Sequence, residues 1–332
     1  MVKKRLPVET YIHGILNGDR VLLSQAITLV ESTLNTDLKL AQAVVRGILP
    51  HTGKSLRVGI TGIPGAGKST LIGNLGKVIL KAGKKLAVLT VDPSSKISGG
   101  SILGDKTRME AIVGEAGVYI RPSSTGKTLG GVSAKTREIL LLCEAAGFDV
   151  VIIETVGVGQ SEVAVREMVD VFLLMLITGA GDELQGIKKG IMEMADLFVI
   201  NKADGKNAEK ALQTKSELKK ILHYFPAPEN GWHPTVLTCS SVYQEGLQEI
   251  WELILQYEQT VKKNGFFESN RSLQQISWLE SHINFLLEQE FYSHPDMAPA
   301  LEKAKRQVLE GKYSAIGMAR RLVNFFFNRS GF

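Results

Sequence analysis

LRVGITGIPGAGKST, Leu56 to Thr70, is the stretch on which the fold of this 332-residue chain turns. Its first half is a short unbroken apolar run. Its second half, Gly62-Ile63-Pro64-Gly65-Ala66-Gly67-Lys68-Ser69-Thr70, matches G-x-x-x-x-G-K-[ST] in full and opens an amphipathic helix over 71–80. Strand, glycine-rich turn and helix in that order form the context in which this motif holds phosphate. Glycines let successive backbone N–H groups turn inward around an anion where a Cβ would obstruct them. The helix N-terminus adds partial positive charge. In such a loop Lys68 reaches the β- and γ-phosphates and the Ser69 hydroxyl ligates Mg²⁺.

Outward from this loop, apolar runs alternate with longer helical stretches. The runs cover 56–61, 85–91, 117–122, 149–154, 170–176, 196–201 and 235–240, each bounded by Gly, Pro, Asp, Asn or another polar residue. Continuous rather than alternating hydrophobicity means burial on both faces, as in a parallel sheet covered by helices. Ligands bind such sheets beyond the carboxyl ends of the strands, and the polar motifs fall at those ends. The expected fold is therefore α/β: a P-loop NTPase with a mostly parallel sheet flanked by helices, plus helical N- and C-terminal extensions. The expected divisions are 1–50, 51–262 and 263–332.

NKAD, Asn201 to Asp204, stands at the end of the sixth run. Four such residues alone are a weak signal, but after a strand and well downstream of a phosphate loop they are a guanine-reading signature. The Asp204 carboxylate can accept from guanine N1–H and the 2-amino group, whereas adenine offers it a lone pair at N1. Two charge-assisted bonds give about 3–6 kcal/mol of discrimination, or roughly 10²- to 10⁴-fold against ATP. Lys202 would lie along the base by its alkyl stem and Asn201 would brace the loop. Ser240-Ser241-Val242 follow the last run, where a backbone N–H can meet guanine O6.

The segment from Asp92 to Met109 follows the second run, is rich in Gly and Ser, and carries the carboxylates Asp92 and Asp105. ETVGVGQSE, Glu154 to Glu162, follows the fourth. Glu154 stands where many P-loop proteins carry an Asp that holds Mg²⁺ through water, and acidic groups beside a triphosphate require a divalent cation. The Gly157 N–H is placed to feel the γ-phosphate, so this segment should order with GTP and relax on hydrolysis. Gln160 stands three residues beyond Gly157, and the residue that orients water stays open. Arg108 is a candidate arginine finger; without one, turnover should be slow, on the order of 10⁻⁴ to 10⁻² s⁻¹.

Composition sets the remaining bounds. The chain is 44% hydrophobic and 22% charged, with net charge +5, which is an ordinary globular balance. No block of like charges marks a nucleic-acid surface. Cys143 and Cys239 lie far apart in apolar surroundings and read as buried small hydrophobes. The N-terminus lacks the apolar core of a secretory signal. The longest strongly apolar stretch, Val171 to Ile177, is far short of the ~20 residues that span a bilayer; a cytoplasmic location, or its equivalent inside an organelle, is expected. Residues 1–50 show apolar positions at helical spacing, such as Tyr11, Ile12, Ile15 and Leu16. Beyond 262, Ile276, Leu279, Ile283, Leu286 and Leu287 make one apolar stripe. Phe325, Phe326 and Phe327 cannot all face one side of a helix, so either core packing or a contact with another chain is open.

The strings GIPGAGKST, VDPSS, GGSILGDKTRM, RPSSTGKTLGG, ETVGVGQSE, TGAGDELQGIKKGIMEMAD and NKAD together resemble the MeaB/ArgK family of P-loop GTPases, related to the methylmalonic aciduria type A protein. They run from Gly62 to Asp204 in the family's order, and the flanking helical segments also fit. The resemblance implies a G-protein chaperone of adenosylcobalamin-dependent methylmalonyl-CoA mutase that gates cofactor loading and protects the mutase, working as a homodimer joined through the C-terminal arm. It implies a Mg²⁺ and hydrolysis site of Lys68, Ser69, Asp92, Asp105 and Glu154. It also implies an additional switch over 179–188, with Asp182 and Lys188 as its polar positions. The chain departs from the family at Ser240-Ser241, where Ser-Ala is usual. An older label of the family gives the alternative of a P-loop ATPase or kinase serving lysine/arginine/ornithine transport, against which NKAD argues. A nickel-delivering GTPase would need a His/Cys cluster, and the six histidines are scattered.

Overall fold

The computed structural model describes residues 5–91, 109, 111–122, 129–155, 161–178, 189–226 and 228–328. They form two compact units, residues 1–275 and 276–332.

The first unit is built on seven strands: β1 (Leu56–Gly62), β2 (Leu86–Val91), β3 (Val118–Pro122), β4 (Val150–Thr155), β5 (Val171–Ile177), β6 (Leu197–Asn201) and β7 (Thr235–Thr238). They lie in the order β3-β2-β4-β1-β5-β6-β7, and every pairing is parallel. The expected sheet is thus present, and β1, β2, β4 and β6 are buried along their whole length. Strand β1 sits at its centre between β4 and β5, with Ile60 in register with Glu154 on one side and Leu173 on the other. Chain connections leave β1 toward β2 and leave β4 toward β5, so the order reverses at β1 and opens a crevice at its carboxyl end.

Two helices, α4 (Lys68–Lys81) and α9 (Leu247–Lys263), pack on one face of the sheet; α6 (Ser161–Arg166), α7 (Lys189–Met194) and α8 (Ala208–His223) fall between them in the chain. Leu71, Leu75, Ile79, Ile250, Trp251 and Ile254 join Val58, Ile60, Ile152 and Leu173 in a single core. Fully burying each such side chain contributes about 1.5–3 kcal/mol. The N-terminal helices α1 (Val8–Leu16), α2 (Arg20–Glu31) and α3 (Asn35–Ile48) are part of the same unit and pack against α5 (Leu129–Ala145). They also hold the edge strand β3: Arg121 pairs with Glu31, and the Tyr119 hydroxyl meets Ser24 Oγ at 3.1 Å. Of the helically spaced Tyr11, Ile12, Ile15 and Leu16, Tyr11 and Ile15 are buried, Ile12 is half-buried and Leu16 is exposed. Cys143 and Cys239 are both free and buried, and burial pushes the Cys239 thiol up to about 12.

At the amino ends of the strands lies a buried ionic cluster. Arg57 donates to Glu144 at 2.8 and 3.0 Å. Arg271, in the early turns of α10 (Phe266–Ser293), donates from Nε and Nη2 to the two Asp170 oxygens at 2.8 and 2.6 Å. The same guanidinium reaches Gly53 O and Ser55 O, each at 2.6 Å, and stacks over the Phe267 ring at 4.1 Å.

In the second unit, α11 (Met297–Leu309) and α12 (Ala315–Asn328) bury Met297, Ala300, Ala304, Met318 and Leu322 together, with Phe325 and Phe326 packed against them. Phe327 is 66% exposed, so the three phenylalanines divide between core and surface. Ile276, Leu279, Ile283, Leu286 and Leu287 all remain exposed. Among the described residues no helix is long and apolar enough to cross a membrane.

Candidate functional site: a phosphate loop joined to a base-reading loop

The loop after β1 is shaped by two glycines. Gly62 has φ +153°, and a Cβ there would sit 2.5 Å from Met175 O. Gly67 has φ +92°, and a Cβ there would sit 2.6 Å from Asn201 Nδ2. Side chains are excluded at both positions by backbone conformation and by space. No side chain caps the N-terminus of α4 at Gly67, and a helix N-terminus left open in this way suits an anion.

Lys68 folds back over the loop and donates to Gly62 O at 2.8 Å and Ile63 O at 3.3 Å. Burial holds its ammonium below the usual lysine range, and the charges of Glu154 and Glu162 oppose that shift. The sequence motifs assign no role to Glu162, which is buried on the first turn of α6 (Ser161–Arg166). Ser69 Oγ lies 3.2 Å from Glu154 Oε1. Strand β4 carries Glu154 to this point, and the Thr61 and Thr155 hydroxyls bridge β1 and β4 beside it at 2.8 Å. A hydroxyl and a buried carboxylate side by side make a hard-oxygen donor pair, which suits Mg²⁺ and not a thiolate- or imidazole-binding metal. Among the described residues there is no group of three or more His, Cys, Asp or Glu placed to hold a metal. Asp92, Asp105, Gly157, Asp182 and Lys188, with Arg108 and Gln160, lie outside the described residues.

The second half of the site stands at the ends of β6 and β7. Asn201 is buried and uses its whole amide. Nδ2 donates to Ala66 O in the phosphate loop at 2.7 Å. Oδ1 accepts from Ser241 N at 3.0 Å, Ser241 Oγ at 2.8 Å and Cys239 Sγ at 3.3 Å. Lys202 takes φ +59°, an uncommon conformation for a residue with a side chain and one that clusters at ligand sites. Ser240 Oγ donates to Asp204 Oδ2 at 2.6 Å and accepts from Tyr243 N at 3.3 Å. Strand β7 ends at Thr238, two residues short of the apolar run: Cys239 N still donates to Ile200 O of β6 at 2.9 Å, and Ser240 then leaves the sheet to bridge Glu245. Val242 is exposed at the tip.

The structure therefore brings Gly62, Ile63, Pro64, Gly65, Ala66, Gly67, Lys68, Ser69, Thr70 and Glu154 to one side of the crevice. Asn201, Lys202, Asp204, Ser240, Ser241 and Val242 lie on the other, with Asn201 as the link. Sequence reading missed Asn74, whose Nδ2 donates to Ser241 O at 2.8 Å. Only its position as a polar residue among Leu71, Ile72 and Leu75 could have flagged it.

Known proteins are similar to this chain over most of its length. The family model for the methylmalonyl-CoA mutase-associated GTPase MeaB matches residues 23–296. The GTPase ArgK of Escherichia coli K12 is 44% identical over 298 residues, covering 90% of this chain and 89% of ArgK. The mitochondrial methylmalonic aciduria type A homolog of Mus musculus is 41% identical over 337 residues, covering 98% of this chain and 81% of that protein. A crystal structure of a LAO/AO transport system kinase superposes with TM-score 0.76 at 34% identity, covering 97% of this chain and 99% of that one. With a phosphate loop and an N-K-x-D loop joined at one crevice, and a match running through both, the chain is a GTP hydrolase and belongs to the MeaB family of GTPases.

Proposed function

We propose that this GTPase is Mg²⁺-dependent and acts as a G-protein chaperone of an adenosylcobalamin-dependent methylmalonyl-CoA mutase, gating cofactor loading and protecting the mutase. The observation that carries the reading is the family match over 23–296, which spans both the glycine-rich loop and the N-K-x-D loop. Lys68 and the N–H groups of the loop receive the β- and γ-phosphates, with Lys68 exchanging its two carbonyl partners for phosphate oxygens. Ser69 and Glu154, together with Asp92 and Asp105, would hold Mg²⁺, which when bound offsets the charge of the triphosphate. Asp204 reads the N1 and 2-amino edge of guanine, Lys202 lies along the base, and Gly157 senses the γ-phosphate. Asp182 and Lys188 belong to a segment that answers to the mutase.

The exposed stripe from Ile276 to Leu287 supports a homodimer joined through the C-terminal helices, since unpaired apolar faces of this kind mark protein contacts. A second reading, a P-loop kinase serving lysine/arginine/ornithine transport, has the name of the superposed transport-system kinase in its favour. The carboxylate of Asp204, unsuited to adenine, weighs against an ATP-dependent kinase. The deciding experiment is steady-state GTP hydrolysis with and without purified methylmalonyl-CoA mutase, apo and cofactor-loaded. Stimulation by either form supports the pairing and shows which state is sensed; no response to either removes this client while leaving the GTPase intact.

A further inference from the structure

We infer that Asn74 is a positioning residue for guanine recognition: by holding the Ser241 carbonyl it aims the Val242 N–H at the 6-oxo group of the base. The inference rests on the base-site reading above and adds a residue to it. Asn74 stands on the second turn of α4, on a face it shares with buried Leu71 and half-buried Val78. A buried amide on such a face costs free energy unless it is hydrogen-bonded. Its Nδ2 lies 2.8 Å from Ser241 O, so the bond satisfies both groups.

The consequence follows from peptide geometry. The Ser241 carbonyl and the Val242 N–H belong to one planar peptide, and the chain contains no cis bond among the described residues. In a trans peptide the N–H points opposite to the C=O. Drawing the carbonyl toward α4 therefore turns the Val242 N–H away from it, at a loop tip where Val242 is exposed. The neighbouring Ser241 N–H is already given to Asn201 Oδ1 at 3.0 Å, alongside the Ser241 hydroxyl at 2.8 Å. The Val242 N–H is the donor this loop holds for the base. Asn74 and Asn201 thus act as two straps, one from α4 and one to Ala66 of the phosphate loop, that fix the base loop against the phosphate loop.

The test separates recognition at position 6 from recognition at position 2. Affinities of GTP, ITP (6-oxo, no 2-amino group) and 2,6-diaminopurine riboside triphosphate (6-amino, 2-amino) are measured by competition with a fluorescent GDP analogue. Asn74→Asp keeps the side-chain shape and removes the donor. It should lower the preference for GTP over the diaminopurine nucleotide by about tenfold, as expected for one buried hydrogen bond. The preference for GTP over ITP, read by Asp204, should stay within about twofold, because that carboxylate is untouched. Thermal melting verifies folding, and Asn74→Ala carries the test if the aspartate variant does not melt cooperatively. A parallel fall in both preferences, or no change in either, overturns the inference. Asp204→Asn serves as the control. If it fails to remove the GTP-over-ITP preference, the base-site reading itself fails and this inference with it. If it succeeds while Asn74→Asp is silent, only the role of Asn74 is lost.

Discussion

Replacing Asp204 by asparagine should invert the base preference of this GTPase, from guanine toward xanthine, and not merely weaken it. The direction follows from Ser240. Its hydroxyl accepts from Tyr243 N at 3.3 Å, so its single proton is directed to Asp204 Oδ2 at 2.6 Å. Once the carboxylate is an amide, that proton still demands an acceptor, and the amide oxygen takes the Oδ2 position. The amide NH₂ is then left where Oδ1 stood, facing the base. Guanine presents donors at N1 and C2 and meets a donor; xanthine presents a 2-oxo group and meets a partner. Two charge-assisted bonds at about 1.5–3 kcal/mol each are lost for GTP, which is roughly 10²- to 10⁴-fold in affinity. The assay is kcat/KM for GTP and for XTP with wild type and variant, at saturating Mg²⁺. The XTP:GTP ratio should rise by at least about 10², the lower bound of that range. Adding Ser240→Ala frees the amide to turn and should erode the gain. An unchanged ratio would refute the placement of Asp204 at the base edge.

Lys68→Ala should abolish GTP hydrolysis and weaken nucleotide binding, measured by phosphate release and by fluorescent GDP titration; retained turnover would place the chemistry elsewhere. Arg271→Met leaves the buried Asp170 carboxylate without its charge partner, and breaking such a pair costs about 3–5 kcal/mol, read as a lower urea midpoint with little change in slope. The Asp37 carboxyl is held below the usual range by its hydrogen bonds from Arg5, at 2.9 and 2.6 Å. Because the folded-state value is the lower one, this stabilisation is complete above the ordinary carboxylate range of about pH 4 and is lost as pH falls through the folded value. The stability gap between wild type and Asp37→Asn should therefore close on acidification, followed by circular-dichroism melting.

The central strands were legible because a strand buried on both faces writes itself as a continuous run, and Val150 to Thr155 or Leu197 to Asn201 can be read without partners; the edge strands β3 and β7, only partly buried, carry the same run of apolar residues more briefly. Phosphate and base loops were legible because their chemistry depends on residues close in sequence. What could not be read depends on pairs distant in sequence. Asn74 meets a carbonyl 167 residues away, and as a single polar residue in a helix it looks like solvent-facing filler. The docking of α2 on β3 rests on Glu31 and Arg121, 90 residues apart, and hydrophobic spacing carries no trace of it. Phe325 to Phe327 could not be divided between core and surface until α11 supplied the packing partners.

The Arg271 clamp also governs how the chain is made. Asp170 and its counter-charge are made far apart, since Arg271 leaves the ribosome 101 residues later. Until then the Asp170 carboxylate can take the Arg57 N–H, at 2.8 Å in the folded chain, but not the guanidinium, and the carbonyls of Gly53 and Ser55 lack that partner too. The nascent GTPase unit therefore reaches its final stability only after translation has passed the early turns of α10. A frameshift or stop anywhere between the guanine-reading loop and Arg271 would yield every nucleotide motif without a durable protein to carry them.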